Sequence, residues 1–193
     1  MDELPKRKRN RLDHYDYSQN GAYFITICTQ NRQERLCTIR RDDTDTPSVK
    51  LSKYGNIVQK NIELIETYYK YTSVDKYIIM PDHIHIIIVL SNPANNEPGS
   101  FIYVPQIKKN GTPGSSVSTP KRSDGTPGSS CPTGIPAIIT ALKKFTTKEM
   151  SENIWQTSYH DHIIRDEEDH LRLHQYMNEN PIKWIENKCA SEH

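Results

Sequence analysis

The sequence predicts an α+β fold: one antiparallel sheet with helices on one face and an extra helix at the C-terminal end. Three observations predict it. Strand-like apolar runs and helical stripes follow one another in the order β-α-β-β-α-β-α. Two of the strands are separated only by Pro81-Asp82, so they return on each other as an antiparallel pair. The flanking strands join that pair through helices, which is the split β-α-β arrangement. With 193 residues, one domain with a proper core is expected.

Taken in order, residues 1–20 are polar and contain the basic cluster PKRKRNR at Pro5–Arg11, which reads as a flexible arm before a single domain over 21–193. Ala22–Gln30 (AYFITICTQ) alternates β-branched and aromatic residues as a strand does. Residues 31–47 are polar and charged, a loop or weak hairpin. Leu51–Tyr71 is helical. Ser52 suits its N-cap, and Val58, Ile62, Ile65 and Tyr69 keep the spacing of one buried face. Val74–Met80 is the next strand, and His83–Leu90 is its partner across the turn. Residues 91–134 are rich in Pro, Gly, Ser and Thr and repeat GTPGSS at Gly111–Ser116 and Gly125–Ser130. The repeat has no apolar face to stack, so a mobile insertion is expected. Order resumes with Pro136–Met150, whose Ile138, Ile139, Leu142 and Phe145 form a helical stripe. Ile154–Ile164 reads as a strand with its approach. Asp166 caps a last helix with acidic residues in its first turn, and Pro181 is expected to end it. The whole is a ferredoxin-like or RRM-like sandwich with one helix added.

Composition excludes several classes. Net charge is +1, so any nucleic-acid surface must come from local clustering. Cys28, Cys37, Cys131 and Cys189 are scattered with no C-x-x-C pair. That argues against a cysteine zinc site or a disulfide framework and for reduced thiols. The N-terminus lacks the apolar core of a secretion signal. The longest apolar run, Ile86–Leu90, is far short of the roughly 20 residues a membrane helix needs. A cytoplasmic protein with no membrane partner is expected.

The chemistry begins in MPDHIHIIIVL, Met80–Leu90. Strand alternation puts Ile84, Ile86, Ile88 and Leu90 on a helix-covered core face. His83, His85, Ile87 and Val89 share the other face, expected to be less buried. Two residues of strand separate the imidazoles by about 6.6–6.8 Å, from which the rings can converge on one divalent ion. Spacing alone leaves two readings, a polar strand face and a metal pair. His160 and His162 have the same spacing on another strand, so a third element is needed to decide.

HQYMNENP supplies it: Tyr176 and Asn180 are four apart and share one helical face. By position alone, Tyr176 is either a core residue with its hydroxyl at the edge or a functional phenol. The combination resembles the single-tyrosine HUH transposases, and among them the REP-associated tyrosine transposases most. The resemblance rests on M-P-x-H-x-H on a central strand and Y-x-x-x-N-P on a late helix, with YFITICTQNR similar to the first strand. It covers roughly residues 20–90 and 135–185. Asp82 stands where many relatives have Asn, and the insertion is longer than expected.

The resemblance implies that Tyr176 is the nucleophile and that His83 and His85 bind Mg²⁺ or Mn²⁺ with Asn180 as a third ligand. The substrate would be single-stranded DNA with hairpin structure, cleaved and rejoined through a 5′-phosphotyrosine in DNA transposition, by a monomer or a homodimer. A free phenol has a pKa of about 10 and needs activation at neutral pH. Phosphoryl transfer itself needs positioning and charge neutralisation above all. Cations for phosphate contact are Lys6, Arg7, Lys8, Arg9 and Arg11 on the arm, and Lys143, Lys144, Arg165, Arg172 and Lys183 nearer the site. Two further readings stand beside the enzyme. One is a non-catalytic or domesticated nucleic-acid-binding module, which in its RNA-binding form would use Tyr23 and Tyr77 on an open sheet face. The other is a metal hydrolase using Asp161 with the histidines.

Overall fold

A run of alternating β-branched and aromatic residues next to a nearly unbroken isoleucine run makes the two innermost strands. The computed structural model describes residues 15–43, 46–93 and 134–191. Its elements are β1 (Gly21–Cys28), β2 (Cys37–Arg41), β3 (Pro47–Leu51), α1 (Lys53–Glu63), α2 (Ile65–Tyr68), β4 (Thr72–Ile79), β5 (His83–Leu90), α3 (Ile135–Met150), β6 (His160–Ile164) and α4 (Glu167–Ser191). The main sheet has the order β4-β5-β1-β6, antiparallel throughout, and β2-β3 form a separate hairpin. This is the split β-α-β topology that the element order predicts.

The sheet has two cores. On one face Tyr23, Ile25, Ile27, Ile84, Ile86, Ile88 and Leu90 pack with Val58 and Ile62 of α1 and with Ile138, Ile139 and Leu142 of α3. On the other, Ala22, Phe24, Ile87, Val89 and Ile164 pack with Met177 of α4. All eight residues of β5 are therefore buried, including the face expected to be less so. α4 covers that face. Tyr23 and Tyr77 belong to the α1–α3 side, Tyr23 fully buried and Tyr77 hydrogen-bonded to Glu63, so they offer no open platform for bases. Asp161 pairs with Ile25 in register and so faces that same side, away from His83 and His85. That removes it from a joint hydrolase site.

Local differences have physical causes. Leu51 ends β3 instead of opening the helix, because Ser52 caps α1 and accepts from the Tyr54 and Gly55 amides. The helix breaks at Leu64 into α1 and the short α2, and β4 starts at Thr72. Phe145 lies on the predicted stripe of α3 yet is exposed, stacked on Tyr68. Residues 15–20, at the end of the expected arm, pack on the domain: Tyr17 is buried and its carbonyl accepts from the Ile135 amide. Gly134 meets them with φ of 145°, and a Cβ there would sit 3.1 Å from the Tyr17 carbonyl oxygen. The remainder of the arm and nearly all of the 91–134 insertion lie outside the described residues.

Pro181 does not end the last helix, which runs on to Ser191. A proline removes one helical hydrogen bond and crowds the preceding turn, at about 3 kcal/mol or more. Tertiary contacts offset this: Pro181 is buried, Trp184 lies beside His83, and Lys188 pairs with Glu34 at 2.8 Å. At the other end Asp166 caps α4 as predicted, its carboxylate accepting from the Asp169 amide at 2.8 Å. Because Ile86 is fully buried in a strand packed on both faces, Ile86→Ala is expected to lower unfolding stability by about 2–5 kcal/mol in urea titration.

Candidate functional site

The histidines stand where β5 leaves its turn, and the turn is held by backbone. The Arg35 and Leu36 amides donate to the Pro81 carbonyl, while the Thr29 amide and hydroxyl both donate to the Asp82 carbonyl at 2.9 Å. On that support the Nε2 atoms of His83 and His85 converge to 3.1 Å. Each ring is oriented through its other nitrogen. His83 Nδ1 lies 2.5 Å from Asp82 Oδ1, and His85 Nδ1 lies 2.8 Å from Thr26 Oγ1. An Nδ1–H that donates to Asp82 leaves the His83 Nε2 lone pair for a ligand. Phe24 stacks on His85 with centroids 4.9 Å apart.

Burial, with His83 and Arg32 nearby, lowers the His85 pKa to about 3, so this imidazole is neutral at ordinary pH. Burial pushes the Asp82 carboxyl up, but the hydrogen bond with His83 and the Arg32 guanidinium, 3.3 Å away, outweigh it and hold the group ionised below its usual range. Nothing in QNRQER marks Arg32 as a site residue. Its role comes from the loop after β1, where Asn31 and Arg32 both adopt positive φ.

α4 lays one stripe across this pair. The Tyr176 hydroxyl lies 3.4 Å from His85 Nε2, its ring edge-on to both His85 and Phe24. Tyr176 is 41% exposed, so a substrate can reach it. Two turns on, Trp184 lies 6.2 Å from His83 between ring centroids. Asn180 sits between them on the same stripe, buried, and its Nδ2 has no partner among the described residues. A buried amide without a partner calls for one. A half-turn of the amide presents the carbonyl oxygen instead.

These residues fit a divalent ion. Two imidazole nitrogens at 3.1 Å match adjacent corners of an octahedron with bonds near 2.1 Å, which are about 3 Å apart. Asn180, buried on the α4 stripe between Tyr176 and Trp184, is the polar side chain with an amide atom left unpartnered among the described residues there.

The other sequence-predicted residues go elsewhere. His162 is exposed and bonded to Asp169 at 2.6 Å. His160 shares the sheet face of His85 but stands two strands away, across Thr26. Lys143 is not open for phosphate: its ammonium donates to the carbonyls of Gln156 and Ser158 at 2.8 Å, holding the approach to β6. Arg172 pairs with Asp169 and Lys183 with Glu179 on α4 itself. Lys144 and Arg165 are exposed. Lys6, Arg7, Lys8, Arg9 and Arg11 lie outside the described residues.

One cluster escaped the sequence reading. Asp75 of β4 meets His170 and His174 of α4, and the three ligand-type atoms lie within 4.8 Å of one another, a set able to hold a divalent metal. The signal was present as HLRLH, two histidines four apart on one helical face. The aspartate partner is brought by a bulge that no pattern announces.

No protein-family model matches the chain. An uncharacterized Haemophilus influenzae protein is 29% identical over 183 residues, 92% of this chain and 89% of the relative. A second H. influenzae protein, provisionally named a REP-associated tyrosine transposase, is 23% identical over 168 residues, 87% of this chain and 74% of its own length. A solved REP-associated tyrosine transposase bound to a REP hairpin superposes with a TM-score of 0.54 at 17% identity, over 90% of this chain and 73% of that one. The chain has the fold of a REP-associated tyrosine transposase. Within this transposase fold, no helix among the described residues is long and apolar enough to cross a membrane.

The depressed His85 pKa has a consequence for the metal-free protein. The unfolded imidazole binds a proton below about 6.5 while the folded one does not, so the contribution is complete above that pH and lost as pH falls toward about 3. The loss should run at about 1.4 kcal/mol per pH unit. His85→Gln should flatten this part of the pH–stability curve in urea titrations, and an unchanged slope would assign it to another group.

Proposed function

We propose that the protein is a metal-dependent, transposase-type enzyme that cleaves and rejoins single-stranded DNA beside a hairpin. The observation that supports this most is the meeting of three side chains from two elements: the α4 hydroxyl of Tyr176 at 3.4 Å from His85 of β5, and His85 at 3.1 Å from His83 of the same strand. The likeness to a solved transposase that holds a REP hairpin supports the choice of substrate.

In this reading the Tyr176 oxygen attacks the scissile phosphorus. The phenol gives up its proton as a P–O bond to Tyr176 forms, the P–O3′ bond breaks, and the departing 3′-oxygen takes up a proton as a hydroxyl, so no net proton is gained or lost. The DNA is left as a 5′-phosphotyrosine. Attack by a 3′-hydroxyl reverses the step and restores the phenol, so bond energy is conserved for rejoining. A divalent ion, Mg²⁺ or Mn²⁺, held by His83, His85 and Asn180 would neutralise charge on the phosphate. Asp82 orients His83, Thr26 orients His85, and Phe24 keeps the His85 ring in place. Neutral His85 offers a lone pair across the working pH range. Lys144 is exposed on α3, on the sheet face opposite Tyr176, so exposed Arg165 and the basic arm at Lys6–Arg11 are the cations offered to backbone phosphates; such contacts position a strand without reading its sequence.

The test is incubation with labelled hairpin DNA carrying single-stranded flanks and Mn²⁺, followed by denaturing electrophoresis. A protein–DNA adduct should form and disappear with EDTA, Tyr176→Phe or His83→Ala, while Tyr176→Phe keeps hairpin binding. Asp82→Ala should reduce adduct formation by about 10–100-fold, the usual effect of losing a residue that orients a metal-ligating histidine. An adduct that survives Tyr176→Phe would move the nucleophile elsewhere. Binding without adduct across several hairpins would show a non-catalytic module.

A further inference from the structure

α4 is tied to both edges of the sheet. On the β6 side the tie is His162 to Asp169. On the β4 side it is Asp75, whose Oδ2 lies 2.6 Å from His170 Nε2 and 2.6 Å from His174 Nε2. The second tie has features that a simple hydrogen bond does not require. Asp75 is the extra residue of a bulge: Val74 pairs with Ile88 and Lys76 with Ile87, leaving Asp75 unmatched. Such bulges re-aim a side chain, and here the carboxylate reaches the α4 side beside Lys76. One carboxylate oxygen faces two imidazole nitrogens at once, and the rings stand 4.4 Å apart between centroids. The side chains of Asp75 and His170 are 10% and 12% exposed, and that of His174 is 29% exposed. Two ligands are thus sheltered and the third opens to water, which can complete the coordination. Lys76, the nearest cation in sequence, is turned to Asn178 Oδ1 at 2.6 Å and does not occupy Asp75.

We propose that Asp75, His170 and His174 form a second metal site that clamps α4 to the edge strand β4 and holds Tyr176 in register. Two imidazole nitrogens and one carboxylate oxygen, with water as the fourth ligand, suit a zinc-class transition ion better than Mg²⁺. Tetrahedral ligands at 2.0–2.2 Å stand about 3.3–3.6 Å apart, so binding needs the 2.6 Å contacts to open by about 0.7–1.0 Å. His174 is the more exposed of the two rings. Tyr176 is only two residues beyond His174, so a fixed His174 fixes the turn that presents the phenol.

The test removes the β5 pair first, so that only the second site is read. In His83→Ala/His85→Ala protein, equilibrium dialysis should show one retained equivalent of Co²⁺ with the visible bands of a four- or five-coordinate site. Zn²⁺ should raise its thermal unfolding midpoint in proportion to concentration and slow amide exchange over residues 167–176. Adding His170→Gln and His174→Gln should remove the equivalent and the thermal rise with the far-ultraviolet circular dichroism unchanged. Asp75→Asn, which keeps the shape of the carboxylate, should weaken Co²⁺ binding without unfolding the chain. A metal equivalent that survives these substitutions, or none in the His83→Ala/His85→Ala protein, overturns the site. Binding that leaves α4 exchange unchanged overturns the clamp.

Discussion

The histidine pair depends on β5 being buried along its whole length between two covering layers. β5 is hydrogen-bonded to β1 on one side and β4 on the other, so its register is set twice. A one-residue slip would move the isoleucines out of the larger core and the imidazoles into it. The pairing that prevents this also builds the site. It sets Thr26 opposite His85 and Cys28 opposite His83, and it brings Phe24, opposite Ile87, onto the same face. The Pro81-Asp82 turn, held by Thr29, Arg35 and Leu36, then fixes where the strand begins.

The second layer rests on less. The apolar patch under α4 is small, essentially Met177 and Leu173 over Ala22, Phe24, Ile87, Val89 and Ile164. Polar ties to both sheet edges supplement it, and Trp184 and Lys188 carry the helix past Pro181. A helix seated on so narrow an apolar stripe takes its register from such side contacts. That makes the flank of α4 facing β4 a determinant of where Tyr176 sits, as much as the residues that touch the phenol.

Electrostatically the site separates its two histidines. His83 is backed by an ionised carboxylate that Arg32 also supports. His85 is backed by a hydroxyl and an aromatic ring, and burial keeps it neutral. The two imidazole nitrogens meet at 3.1 Å beside a buried amide whose Nδ2 has no partner among the described residues, so the polar atoms gathered here exceed what the surrounding side chains satisfy.

The sequence by itself determined the strands and helices of the sheet, the face alternation of β5, the cap at Asp166 and the pairing of Tyr176 with Asn180 on one helical face. These follow from local periodicity and capping chemistry, which neighbouring residues encode. Tertiary structure alone decided that α4 buries the histidine face, that Arg32 reaches Asp82, that Lys143 is consumed by backbone carbonyls, and that the helix survives Pro181. Each depends on what packs against the residue from a distant part of the chain. Asp75 shows the limit most clearly. HLRLH could be read as a pair on a helix, but the carboxylate that completes it is aimed by a bulge against β5, and a bulge is a property of two strands together.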